Sequence, residues 1–100
     1  MRHDVIDLDC PTSVAAGAAK TIREHQLGSV HIYGSGSWTA QLQGKIGTGS
    51  VWTNIGAAGT NAAAVIVAVP DGVTDLRINV TAFASGTAVA QYGGFFTRGE

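Results

Sequence analysis

One hundred residues are enough for one domain, and six Lys and Arg against seven Asp and Glu leave a formal charge of −1, without the basic excess that binding to a phosphate backbone draws on. Only 13% of residues are charged, about half the globular average of roughly 25%, so much of the surface is expected to be small and uncharged. No apolar run approaches the roughly 18 to 20 residues of a membrane span, and neither nucleic acid nor membrane is an expected partner.

Residues 1–11 set Val5, Ile6 and Leu8 among Asp4, Asp7 and Asp9 before Pro11 removes a backbone donor, which predicts an extended arm or edge strand. No signal-peptide apolar core follows Met1-Arg2-His3-Asp4, so the chain is expected to stay unexported. The lone Cys10 leaves no intrachain disulfide framework. Over 12–27 the alanines favour helix and Gly17 weakens it; a loop followed by a strand around Lys20-Thr21-Ile22-Arg23 is the preferred reading, with helix as the alternative. From Ser29 the period is two. Val30 and Ile32 oppose His31 and Tyr33, Gly34-Ser35-Gly36-Ser37 predicts a turn, and Trp38, Ala40, Leu42 and Ile46 alternate with Thr39, Gln41, Gln43 and Lys45 in a half-buried strand. Gly47-Thr48-Gly49-Ser50 predicts a hairpin into 51–55. The run 62–69 carries no polar side chain, Pro70-Asp71-Gly72 is a turn, and Leu76, Ile78, Val80 and Ala82 alternate with Arg77, Asn79, Thr81 and Phe83. Ser85-Gly86-Thr87 turns into a last strand over 88–92, and 93–100 is expected to be a C-terminal tail. Short strands divided by turn signals predict an all-β domain over 1–100, an antiparallel β-sandwich or jelly roll of about seven or eight strands.

Chemistry finds little to work with in these residues. The two Gly/Ser/Thr loops lack the strand-loop-helix context and the spacing of phosphate-binding loops, and no Ser sits in a nucleophile elbow. Cys10, His3, His25 and His31 show no zinc-type spacing, and the acidic trio reads as a solvated edge that resists strand addition. Asn79-Val80-Thr81 fits a glycosylation sequon that an unexported chain would not use. No enzyme, no catalytic residue, no cofactor and no metal are expected. Trp38 is in phase with Ala40 and Leu42, which places it in the core. Trp52 is out of phase with its neighbours and is open to three readings: core, partner contact or ligand platform.

The strand around 62–69 differs from its fellows. Val65, Val67 and Val69 face one way and Ala64, Ile66 and Ala68 the other, so both faces are apolar and something is expected to cover the second. Val65, Ile66 and Val67 are therefore candidate interface residues, as are Phe95 and Phe96 beyond the last predicted strand, and self-association is expected.

The succession Ser29-Val30-His31-Ile32, Gly36-Ser37-Trp38-Thr39-Ala40-Gln41-Leu42-Gln43-Gly44, Trp52-Thr53-Asn54-Ile55-Gly56, Val69-Pro70-Asp71-Gly72-Val73 and Leu76-Arg77-Ile78-Asn79-Val80-Thr81 followed by Ser85-Gly86-Thr87 resembles the small β-sandwich virion proteins of tailed bacteriophages. The resemblance spans about residues 29–92. It implies a structural virion protein that decorates or cements a capsid shell, commonly as a homotrimer on the major capsid protein. A tail or fibre component, touching host glycans through Trp52, is the alternative it leaves open.

Overall fold

The computed structural model describes residues 3–22, 25–70 and 72–96, leaving aside the side chains of His3, His25, Gln26, Leu27 and Phe96. The described residues form seven strands in chain order: β1 (His3–Leu8), β2 (Lys20–Thr21), β3 (His25–Lys45), β4 (Thr53–Asn54), β5 (Gly59–Thr60), β6 (Val65–Ala68) and β7 (Asp75–Phe96). All belong to one antiparallel sheet curled into a half-barrel, so the expected all-β class holds.

Two strands dominate this sheet. β3 has 21 residues and β7 has 22, against a usual strand of about five or six, and they pair along nearly their whole length. Shorter pieces line their outer edges. β6, β5 and β4 flank β3 at Ser29–Ile32, Thr39–Ala40 and Gln43–Gly44. β1 flanks one end of β7 and β2 the other, with the 15–17 segment between them bonded to Ile78 and Val80.

Strands this long must bend, and the bend corrects two sequence expectations. Gly34-Ser35-Gly36-Ser37 and Ser85-Gly86-Thr87 are not turns; they lie opposite one another inside β3 and β7. Gly36 and Gly86 have φ of +99° and +90°, a region that side-chain-bearing residues rarely enter. A Cβ on Gly36 would strike the Gly86 Cα, and one on Gly86 the Ser35 carbonyl oxygen. The buried Trp38 is tied to the same bend, its indole N–H donating to the Ser35 carbonyl at 2.9 Å.

Register shifts on either side of Trp38 and Thr39 leave Thr81 and Ala84 of β7 without opposite numbers on β3. Each bulge flips the alternation by one residue. Phe83, read with the polar set, therefore pairs with Trp38 and packs on the core, while Ala82 faces out. The second bulge restores phase, so Ala88, Ala90 and Tyr92 turn inward again.

The core is the concave face. Val30, Ile32, Trp38, Leu42, Leu76, Ile78 and Val80, the residues that the alternation selects, are each 3% exposed or less. Ile46, read in the same phase as Leu42, lies beyond the end of β3 at Lys45 and is 68% exposed. Tyr92, the largest fully buried side chain, sits where a Cβ on Gly28 or Gly94 would collide with its ring. Gly93-Gly94 is therefore no strand end. β7 continues to Phe96, so residues 93–96 of the expected tail belong to the sheet; residues 97–100 lie outside the described residues, as do Arg23 of the second predicted strand and Asp71 of the predicted turn.

Candidate functional site

On the convex face the polar members of β3 and β7 stand in rows fixed by the register. Gln43 pairs with Arg77 and Lys45 with Asp75. The Arg77 Nε–H donates to Gln43 Oε1 at 2.8 Å, and Gln43 Nε2 donates to Asn54 Oδ1 at 3.0 Å. The half-buried Trp52, carried in by the loop between β3 and β4, lies against this row. Its ring centroid is 4.5 Å from the Arg77 guanidinium carbon and 5.1 Å from the Lys45 Nζ. Of the three readings open for Trp52, core is the one this excludes: the ring is an outer clasp on two cations of its own chain.

The clasp is testable. Trp52→Ala is expected to cost about 1–2 kcal/mol in urea unfolding, and Arg77→Ala to cost about 0.5–1 kcal/mol less in that background than in the wild type. Equal Arg77→Ala costs in the two backgrounds would break the pairing.

Next along the convex face, His31 and Tyr33 stack with ring centroids 4.5 Å apart. The Tyr33 hydroxyl donates to Gln91 Oε1, and Gln91 Nε2 donates to Asp7 Oδ1, both at 3.2 Å. Asp9 Oδ2 accepts from the Ala18 N–H at 3.0 Å, holding the 17–18 segment against the strand end. The Asp7 and Asp9 carboxylates thus work inside the fold. Among the described residues no three His, Cys, Asp or Glu side chains gather as metal ligands would. Burial, with the Asp9 carboxylate adding to it, pushes the Cys10 thiol up to about 11, so it stays protonated and unreactive at neutral pH.

Clefts lined by described residues open on the surface. One of about 490 Å³ is lined chiefly by Ile46, Val51, Ile55, Pro70 and Val73. Another, about 310 Å³ beside the bend, is lined by Ser37, Thr39, Thr60 and Asn61 with Trp38 and Phe83. The first also takes in Lys45, Thr53 and Asn54, and neither of these two linings holds a His, Cys, Asp or Glu.

The candidate interface residues separate. Val67 is buried and Val65 packs on the core, so neither presents itself to a partner, whereas Ile66 is 72% exposed. Ala64 and Ala68 are exposed with it, leaving the second face of β6 open. Phe95 is half-buried in β7 between His3 of β1 and Gln26 of β3, inside the sheet and not beyond it. Phe96 shares that strand, and its side chain lies outside the described residues, as do those of His3 and His25. Val5, 53% exposed on β1, is a surface apolar residue that sequence reading did not single out. Its signal was its phase, opposite to Ile6 and Leu8.

No family model, curated protein or solved structure matches this chain.

Proposed function

We propose that this protein decorates and stabilises a bacteriophage capsid shell, docked on the major capsid protein as an assembly of its own copies and working without catalysis. The observation that carries the reading is where the exposed apolar side chains lie. Val5 and Ile66 stand at the two outer edges of the sheet, and Ile46 and Val51 at its loop end. Exposed apolar groups spread over edges and ends suit contact with other protein surfaces. The resemblance of residues 29–92 to small virion β-proteins supplies the kind of surface, a shell.

Purified protein mixed with undecorated shells is expected to co-sediment with them and to stay in the supernatant with free capsid subunits. Failure to pellet across a range of salt concentrations overturns the proposal. A tail or fibre module that touches host glycans is the second reading, and Trp52 beside Gln43, Asn54 and Arg77 is the feature that favours it. Saccharide binding that disappears in Trp52→Ala, together with no binding to shells, would put that reading first.

A further inference from the structure

We propose that β6 is a seam along which two copies of this chain join, antiparallel and about a two-fold axis, into one continuous sheet. The inference rests on the self-association in the proposed function and not on the shell.

The backbone gives the direction. The Val69 N–H donates to the Gly28 carbonyl at 3.0 Å, one step beyond the Ala68–Ser29 pair. In an antiparallel ladder, hydrogen-bonded and non-bonded pairs alternate, so Val67 and Val65 turn their peptide groups toward β3. Ile66 and Ala68 turn theirs away. Among the described residues β6 has β3 as its one strand neighbour, and no backbone partner stands on the far side. That edge offers two N–H and two C=O groups, which call for another strand. Pro70, next in the same outward phase, has no N–H and ends the offer.

Charge says which strand. Exposed edges are ordinarily guarded by charged residues or proline. β1, the edge strand on the other flank, carries Asp4 and Asp7, with Asp9 just beyond, so two copies meeting there would set carboxylate against carboxylate. β6 is Val-Ile-Val-Ala, with no charge and no proline. It is also complementary to itself. With Val67 on the two-fold axis, Ile66 of each copy stands across from Ala68 of the other, large against small on the convex face, and the outward groups close four N–H···O=C bonds. Closed two-fold contacts are the commonest symmetry of soluble oligomers. A four-residue seam buries less than the roughly 1,200 Å² of a standard interface, so the dimer is expected to depend on concentration.

Analytical ultracentrifugation of the full chain from about 1 to about 200 µM tests this. The mass is expected to rise from 10.2 kDa toward twice that value. Ala68→Pro removes an outward N–H that the monomer does not use, at an edge position where proline is tolerated. It is expected to raise the dissociation constant by about ten- to hundredfold with little change in the thermal midpoint. Ile66→Lys should weaken the dimer as well and serves alone if the proline variant does not fold; Val5→Lys should leave association unchanged. A wild type monomeric throughout, a folded Ala68→Pro variant that dimerises as before, or a trimer would overturn the seam, the trimer by pointing to β6 pairing with β1 of the next copy in a ring. A dimer that fails to pellet with shells sinks the shell reading alone, and a monomer that pellets sinks the seam alone.

Discussion

Gly86→Ala is expected to lower stability by about 3–5 kcal/mol, which in a domain of this size moves the thermal midpoint down by about 15–30 °C. Two costs add. The residue has φ of +90°, where an L side chain costs about 1–2 kcal/mol. Its new Cβ would also meet the Ser35 carbonyl oxygen and the Gly36 Cα, both backbone. Backbone cannot swing aside as a side-chain tip can, so β3 and β7 must splay at the bend, and Trp38, bonded to Ser35, loses its seat. Gly47→Ala is the control: φ is +67° and nothing lies within 4 Å of the added Cβ. It should cost only the backbone term, about 1–2 kcal/mol. Equal effects of the two substitutions in thermal unfolding would show that backbone crowding at the bend does not matter.

Those glycines also mark where the sequence could be read and where it could not. The alternation of Trp38, Ala40 and Leu42 and of Leu76, Ile78 and Val80 is a local signal for a half-buried strand, and each of these residues is buried. Gly34-Ser35-Gly36-Ser37 carries an equally local signal, but glycine and serine suit a chain-reversing turn and a sheet bend alike. What separates the two is the partner strand some 50 residues away. The same holds for Gly94, whose missing side chain makes room for Tyr92 and does not end a strand. Phe83 was misplaced because two bulges break the period, and a bulge is a property of a pair of strands, not of either alone. Of the surface features, Ile66 was legible because 62–69 is apolar on both faces. The clasp on Trp52 was not. Lys45 and Arg77 sit in the polar phase of two separate strands, and only the register of β3 against β7 brings both to one ring.

Register makes the sharpest difference between two residues three apart on β7. Ile78→Asp is expected to unfold the domain, and Thr81→Asp to change its stability by no more than about 0.5 kcal/mol. Ile78 is fully buried opposite Leu42. Deleting its side chain costs about 2–5 kcal/mol, and a carboxylate in its place must either stay charged in an apolar core or take up a proton, which adds several more. The sum rivals the whole 5–15 kcal/mol that holds a typical domain together. Thr81 is the bulged residue, exposed and skipped by the ladder, since Ala82 pairs with Thr39 and Val80 with Ala40. An aspartate there stays in water and displaces no cross-strand neighbour. Circular dichroism and urea unfolding of both variants read the outcome: loss of strand signal in Ile78→Asp with a wild-type midpoint in Thr81→Asp is expected. A folded Ile78→Asp would mean that the concave face is not the core, and an unfolded Thr81→Asp would mean that the bulge is not where the register puts it.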